Sequence, residues 1–235
     1  NALKMFDAAI EADPENAQAY AWKACTLGQA MVRGYVDKPL EEIMPEFSNL
    51  MASALSIDPN DFECHRLQCA VNTMMGDMKA ALSHGKKAYD VNPNDPRILQ
   101  QYGEVLLKTG KTEEGCDLTL LALEYDPIAQ GQTNSDKRKS DGVFGCVLDD
   151  RPDVGLDIAS GMIDRSEKVL VYSAALAVGS NGSLESFSWL IDDLKKADFG
   201  QIEEAIEEMG KFDVVVQSKL KEVFLDHILP LKEAA

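Results

Sequence analysis

Three prolines at a fixed interval place the strongest constraint on what this chain can fold into. Pro59, Pro93 and Pro127 lie 34 residues apart, twice in succession, and each follows an Asp or Asn. A residue before proline is disfavoured in the helical region of backbone space, so a helix is expected to end at each of these positions. An interval of this length is typical of stacked helical hairpins. The sequence therefore predicts an array in which each repeat supplies two helices.

Residues between the prolines predict where these helices begin and turn. Asp61 and Asp95 follow two of the prolines as candidate N-caps, and Pro96 stands where a first-turn proline fits. Gly76 and Gly110 each precede a repeat proline by 17 residues, where one helix must turn back on the next. We expect these five residues to mark the ends of the helices.

Small side chains recur where the two helices of a hairpin come closest, since bulky residues there would force the helices apart. These positions hold Cys69, Gly76, Ala81, Ala88, Gly103, Gly110 and Ala122. The period and the small positions together resemble the tetratricopeptide repeat, or TPR. Gly85, where the family usually has an aromatic residue, and Gly115, where it has a second alanine, depart from the pattern. The resemblance implies an all-α, right-handed TPR-like solenoid of helical hairpins.

The first residues match only the second half of such a repeat. The matching positions are Ala2, Phe6, Ala9 and Pro14. We therefore expect the chain to open on the second helix of a hairpin and to have been cut from something longer. Phe6 and Ile10 would then expose part of an apolar face, which monomers rarely leave uncovered. This predicts a homodimer through the N-terminal end, or upstream residues that cover it.

The second repeat is longer than the others. Pro59 lies 45 residues after Pro14, which exceeds the 34-residue period by 11. The extra residues fall at 33–39, between a helix predicted over 17–32 and another over 40–56. An insertion between the two helices of one hairpin leaves their stacking faces intact and predicts a protruding loop. Such a loop is either a tolerated insertion or a functional one.

Beyond Pro127 the period is lost, and we expect degenerate hairpins that continue the same array. The expected elements are a loop and cap at 130–135, a helix to about 148, a helix over 152–164, a hairpin of 167–178 and 183–196 joined by a turn at 179–182, and an amphipathic helix over 214–229. The last helix would cap the open end of the stack. The chain is thus divided into TPR repeats at 1–127 and degenerate hairpins with a capping helix at 128–235.

The order of a half repeat, an enlarged repeat and the turn at 57–61 resembles the C-terminal TPR module of bacterial class III adenylate cyclases and of winged-helix transcriptional activators. The resemblance covers residues 2–127 by motif and the remainder by outline. It implies a bacterial regulatory or assembly segment, attached to an upstream catalytic or DNA-binding domain. A free-standing TPR adaptor fits the same residues.

The charge balance narrows the possible partners. The chain has 23 basic and 40 acidic residues, a formal net charge of -17 at pH 7. This argues against nucleic acid and anionic membranes, both of which attract positive charge. No apolar run reaches the length that a membrane helix needs. The five cysteines are an odd number without a CxxC pair, which favours reduced thiols and the cytoplasm.

No residue pattern predicts catalysis or a cofactor, so we expect a protein that is not an enzyme. Cys64, His65 and Cys69, with His84 farther along, are the nearest approach to a metal motif, but structural zinc sites normally show paired spacing. The acidic pairs at 149–150 and 192–193 are better explained as solvated caps than as a catalytic acid and base. The turn at 179–182 does not match a phosphate-binding loop.

The face lined by the first helices of the hairpins is the candidate binding groove, suited to an extended peptide or a partner helix. Its candidate residues are Arg66, Thr73, Met74, Arg97, Gln100, Glu104 and Lys108. Arg66 and Arg97 would bind a carboxylate of the partner, or would pair with Glu63 and Glu104 and stabilise the stack. We therefore expect a protein-interaction scaffold whose partner is a protein or peptide. The alternative is a ligand-sensing regulatory domain of a nucleotide cyclase or transcriptional regulator.

Overall fold

The structure is a computed structural model that describes residues 2–32, 34–36, 39–127 and 136–233. Across these ranges every regular element is a helix, so the predicted all-α class is confirmed. The chain divides into two compact units, Asn1–Asn94 (unit 1) and Asp95–Ala235 (unit 2).

The helices are numbered in chain order. The described residues of unit 1 form α1 (Ala2–Ala12), α2 (Ala17–Val32), α3 (Leu40–Ile57), α4 (Phe62–Met75) and α5 (Met78–Val91). Those of unit 2 form α6 (Pro96–Lys108), α7 (Thr112–Tyr125), α8 (Lys137–Leu148), α9 (Pro152–Ser160), α10 (Glu167–Asn181), α11 (Ser188–Lys196), α12 (Ile202–Met209), α13 (Val214–Val223), a π-helical turn (Phe224–Ile228) and α14 (Leu229–Glu233). The helices predicted over 17–32 and 40–56 are confirmed.

Aspartate caps start the helices that follow the repeat prolines. The Asp61 carboxylate accepts a hydrogen bond from the Cys64 backbone N–H at 2.7 Å, at the start of α4. Asp95 does the same for the Arg97 N–H at 2.8 Å, and Pro96 is the first residue of α6. A capping carboxylate satisfies a backbone donor that has no partner within the helix. Both predicted caps are confirmed.

Glycines make the turns between paired helices. Gly76 and Gly110 have φ angles of 79° and 81°, a left-handed conformation that residues with a Cβ rarely adopt. Gly182 ends α10 in the same way with φ of 70°. The turn predicted to begin at 179 is therefore wrong, because α10 continues to Asn181 and the chain turns at Gly182. The following helix also starts later than the predicted residue 183, at Ser188.

Unit 1 contains two hairpins and a leading helix. α2 packs on α3, α4 packs on α5, and α1 lies against α2. The buried cluster at its centre consists of Ala21, Ala24, Leu27, Ile43, Phe47, Leu50, Met51, Ala54 and Cys64. No side chain of α1 is fully buried; Phe6 and Ile10 are half-buried, and Met5 is 73% exposed. Of the insertion at 33–39, residues 33, 37 and 38 lie outside the described residues.

Unit 2 is organised around α10. This helix is apolar on every side, and eight consecutive or near-consecutive positions between Val169 and Ala177 are buried. A helix of this kind is stable only when neighbours cover its whole circumference. Here α8, α9, α11, α12 and α13 all pack against it. α10 is therefore the centre of the unit 2 core.

The C-terminal half departs from its predicted outline in three further places. α9 ends at Ser160, short of the predicted 164, because the Arg165 guanidinium caps it by donating to the Ala159 and Ser160 carbonyl oxygens at 2.6 and 2.8 Å. α12 was not predicted from the sequence. The last helix begins at Val214 as expected, but a π-helical turn interrupts it. The loop and cap expected at 130–135 lie outside the described residues.

Candidate functional site

The groove residues predicted in unit 1 lie on α4. The Arg66 guanidinium donates to both carboxylate oxygens of Glu63 at 3.1 and 2.6 Å, and Glu63 is completely buried. The Thr73 hydroxyl donates to the Cys69 carbonyl oxygen at 2.8 Å. Met74 is 78% exposed. Arg66 thus forms an ion pair within its own helix, as the structural interpretation of the sequence expected.

The groove residues predicted in unit 2 lie on α6. Arg97 forms an ion pair with Asp95 at 2.6 Å, not with Glu104 as the sequence had suggested. Glu104 instead pairs with Lys108 at 2.5 Å, one helical turn away. Arg66 and Arg97 belong to different units, so their action on one ligand stays a prediction.

Gln100 joins α6 to α8. Its side-chain amide donates to the Asp141 carboxylate, while its oxygen accepts a hydrogen bond at 2.8 Å from Arg138. The Arg138 guanidinium also donates to the Pro96 carbonyl oxygen and to Asp126, both at 2.8 Å, and the residue is only 2% exposed. A buried guanidinium with three acceptors fixes the helices that carry them. Sequence reasoning missed this role of Arg138, because its acceptors lie 12 to 42 residues away along the chain.

Asp141 is the most deeply placed carboxylate of this network. Burial raises its pKa above the usual range of aspartate, and the ion pair with Lys137 opposes that effect. The nearby charge of Glu104 raises the pKa further. The region between α6 and α8 therefore holds two carboxylates, Asp141 and Glu104, each beside a lysine.

Two aromatic rings continue this surface from α8 to α10. Phe144 and Tyr172 are half-buried, and their ring centroids are 5.9 Å apart. Burial raises the pKa of Tyr172 to about 12, and the charge of Glu208 on α12 adds to the effect. We call the surface formed by α6, α8 and α10 the first-helix face of unit 2. Its residues are Gln100, Glu104, Lys108, Asp141, Phe144 and Tyr172.

The C-terminal part of the same unit reaches this face. The ring of Phe212, in the turn between α12 and α13, lies 5.6 Å from the Lys108 ammonium. Lys219 on α13 forms an ion pair with Asp150 at 3.5 Å, in the turn between α8 and α9. A Cβ added to Gly179 of α10 would lie 2.8 Å from the Lys219 ammonium, so α13 also approaches α10 closely. One predicted groove residue, Lys108, is thus in contact with the protein's own chain.

The candidate metal residues differ in their surroundings. The Cys64 thiol is buried, and burial raises its pKa well above the ordinary value, which disfavours the thiolate that metals bind. His65 and His84 do meet, with their Nδ1 atoms 3.0 Å apart. Within the described ranges no three metal-ligating side chains come together. None of the five cysteines forms a disulfide.

Members of both acidic pairs form ion pairs with arginines. Asp149 pairs with Arg151 at 2.6 Å, and Asp193 pairs with Arg165 at the same distance. Asp150 adopts a left-handed conformation with φ of 50° in the turn after α8.

In the part of the chain that the structure covers, no helix combines the length and apolarity that a membrane crossing requires.

Comparison with known proteins identifies the fold. No protein-family model matches the chain. No curated protein matches it either. Among solved structures, YrrB, described as a TPR protein with an unusual peptide-binding site, aligns over 97% of both chains with a TM-score of 0.57 and 16% identity. PilF of Pseudomonas aeruginosa aligns over 93% of this chain and 87% of its own, with a TM-score of 0.58 and 17% identity. At these identities the likeness concerns the fold, which is a TPR-like helical solenoid.

Proposed function

We propose that this chain is a non-catalytic protein-interaction scaffold that binds an extended peptide or a partner helix through the first-helix faces of its hairpins. The observation that carries the proposal is the continuous first-helix face of unit 2. It combines two half-buried aromatic rings with polar side chains that a buried network holds in place. YrrB, a TPR protein of similar fold, is described as having a peptide-binding site.

The ion pairs formed by the predicted groove residues of the two units differ in how readily they can exchange partners. Glu104 and Lys108 are 27% and 20% exposed, so a ligand can replace one member at small cost. Arg97 is 34% exposed and is similar in this respect. Arg66 is different because its partner Glu63 is fully buried, and leaving that carboxylate without its cation would cost about 3–5 kcal/mol. We therefore assign ligand binding to Arg97, Glu104 and Lys108, and a stabilising role to Arg66.

Peptide selection on the purified chain tests this assignment. A displayed peptide library would be selected against the protein, and the dissociation constant of the best peptide measured by calorimetry. We expect Lys108→Ala and Arg97→Ala to weaken binding about 5-fold each, which corresponds to about 1 kcal/mol, without lowering the melting temperature. Arg66→Ala should lower the melting temperature and leave binding intact.

Lys86→Ala is the matched control, because Lys86 also forms an exposed ion pair one helical turn away, with Asp90 on α5, a second helix. It should change neither binding nor melting. Failure of any peptide to bind, or equal binding by all variants, would overturn the proposal.

The finer features of the proposal rest on the sequence. We retain a regulatory or assembly role in the bacterial cytoplasm, and a homodimer through α1, whose Met5 is 73% exposed. The ligand-sensing alternative has one cavity in its favour, of about 300 Å³, between the start of α10 and α12. Its lining includes Glu167 and Asp198, whereas small-molecule pockets are mostly apolar. Light scattering tests the dimer, and a monomer would contradict it.

A further inference from the structure

One side of α8 carries a cation, a carboxylate and an aromatic ring in succession. Lys137, Asp141 and Phe144 follow one another at intervals of four and three residues, so they lie on the same side of the helix. The Phe144 ring also contacts the Tyr172 ring of α10, with 5.9 Å between the ring centroids. A carboxylate and two aromatic rings are therefore neighbours on the first-helix face of unit 2.

The Asp141 carboxylate is held in place by the neighbouring helix. Gln100 of α6 donates its side-chain amide to one carboxylate oxygen, and the Gln100 side-chain oxygen accepts from the buried Arg138 at 2.8 Å. The other Asp141 oxygen accepts from the Lys137 ammonium. A carboxylate has about four acceptor positions, so these two hydrogen bonds leave room for further donors. Asp141 is thus a fixed acceptor whose capacity is not used up.

The lysine that pairs with Asp141 is the more exposed member of the ion pair. The Lys137 side chain is 48% exposed, whereas that of Asp141 is 15% exposed. Ion pairs that involve an exposed lysine are weak, because holding a long side chain in one position costs entropy. Burial raises the pKa of Asp141, so its charged form gains from any additional cation. A cation from outside can therefore replace Lys137 while Gln100 keeps Asp141 in place.

The groups around Asp141 favour a guanidinium over an ammonium. An arginine side chain donates two parallel hydrogen bonds to a carboxylate, and its plane stacks on aromatic rings such as Phe144 and Tyr172. Glu104, four residues after Gln100 on the same side of α6, adds a second carboxylate to this face. The formal net charge of -17 attracts a basic partner from a distance. The charge and the rings thus both fit an arginine-containing peptide.

We propose that the first-helix face of unit 2 selects a basic peptide, whose arginine side chain takes the place of Lys137 on the Asp141 carboxylate. The guanidinium then lies against the Phe144 and Tyr172 rings, and Lys137 moves into solvent. This inference rests on the proposed function, since it names the partner chemistry of the same face.

The test begins with the peptides that the displayed library yields against the wild-type protein. Arginine should be enriched at one position of the selected peptides. The tightest peptide would be synthesised with this arginine, with lysine in its place, and with citrulline, which has the shape of arginine without its charge. Calorimetry should show about 5-fold weaker binding of the lysine peptide and at least roughly 10-fold weaker binding of the citrulline peptide.

Two substitutions on α8 should change the affinity for the arginine peptide in opposite directions. Lys137→Gln removes the competing cation and should tighten binding about 3-fold without lowering the melting temperature. Asp141→Asn keeps an acceptor for Gln100 but loses the charge, and should weaken binding at least roughly 10-fold. The citrulline peptide should bind wild type and Asp141→Asn alike, because the interaction that the substitution removes is already absent. A purely structural role of Asp141 would weaken both peptides equally.

Lys86→Gln is the matched control, because Lys86 also precedes the aspartate with which it pairs, Asp90, by four residues on one helix. The Asp90 side chain is 56% exposed and lacks the shielding of Asp141. Lys86→Gln should leave the affinity for the arginine peptide unchanged. Equal tightening by Lys86→Gln and Lys137→Gln would mean that only the overall charge matters, which overturns the inference.

The other outcomes separate this inference from the proposed function. If library peptides bind without an enriched arginine, or if the citrulline or lysine peptide binds as tightly as the arginine peptide, the inference is overturned and the scaffold proposal stands. Unchanged affinity of Lys137→Gln for the arginine peptide overturns it as well. If no library peptide binds the wild-type protein, the scaffold proposal and the inference both fail.

Discussion

At the scale of single residues, the role of a polar side chain depends on partners that the sequence does not place beside it. Lys137, Arg138 and Lys139 look alike in the sequence as one short basic cluster. In the fold Arg138 is buried and donates to acceptors up to 42 residues away, whereas Lys137 and Lys139 pair with nearby aspartates. Local sequence therefore predicts the charge of this cluster but not which member holds the helices together.

The contact between His65 and His84 predicts a loss of stability in mild acid. Since the Pro59 carbonyl can only accept, neutral His65 donates to it from Nε2 and accepts from His84 at Nδ1. Burial lowers the pKa of both rings below 6.5, and the nearby Lys87 acts in the same direction. The unfolded chain therefore binds more protons below pH 6.5, so this contribution is present above that pH and is lost as pH falls through the folded-state pKa values.

Urea unfolding at pH 7 and pH 5, followed by circular dichroism, measures this effect. Wild-type protein should lose more unfolding free energy between these pH values than His84→Gln. His227→Gln, which leaves the contact between His65 and His84 intact, should behave as wild type. An equal loss in wild type and His84→Gln would contradict the prediction.

At the scale of helices, the repeat pattern predicts ends well where caps and glycines specify them. The starts of α4 and α6 were predicted from Asp61 and Asp95, because capping is a local interaction. The end of α9 was not, since the group that caps it, Arg165, acts from beyond the helix and also pairs with Asp193 on α11. The predicted groove residues of α6, namely Arg97, Gln100, Glu104 and Lys108, are half-buried, and their role in binding a partner stays a prediction. The sequence could not show that Phe212 would lie beside Lys108, since no repeat pattern links positions so far apart.

The space around two helical glycines predicts opposite effects of their substitution by alanine on the free energy of unfolding. A Cβ at Gly115 would lie 2.8 Å from the Gly103 carbonyl oxygen and from the Leu107 backbone nitrogen, neither of which can move without separating the helices. Gly115→Ala should lower the free energy of unfolding by about 1–3 kcal/mol.

A Cβ at Gly28, within α2, would meet nothing nearer than Phe47 at 3.8 Å. Gly28→Ala should raise the free energy of unfolding by about 0.5–1 kcal/mol, because alanine favours the helical conformation more than glycine does.

Urea titrations of the two variants beside wild type would measure both changes. A Gly115→Ala protein as stable as wild type would contradict the prediction, because it would show that α6 and α7 can move apart without cost.

At the scale of the whole molecule, the proline period and the compactness of the chain give different divisions. The period runs without interruption through 59–127, whereas the compact units divide after Asn94, between two hairpins. A repeat pattern records local similarity, while compactness depends on the sum of packing contacts. The apolar cluster of unit 2 is centred on α10, which neighbouring helices cover on every side. The apolar cluster of unit 1 is smaller, and α1, the first helix of that unit, buries no side chain completely.

This difference predicts that unit 1 unfolds at a lower urea concentration than unit 2. Burial of apolar surface is the main source of stability, and unit 2 buries the larger cluster. The two tryptophans allow each unit to be followed separately, because Trp22 lies on α2 and Trp189 on α11. In a Trp189→Phe variant the remaining emission should report an early transition, and in Trp22→Phe a late one. Circular dichroism of both variants should show the same two steps as wild type, which controls for effects of the substitutions. Coincident transitions by all three measurements would mean that the chain unfolds as a single cooperative unit, and the prediction would be wrong.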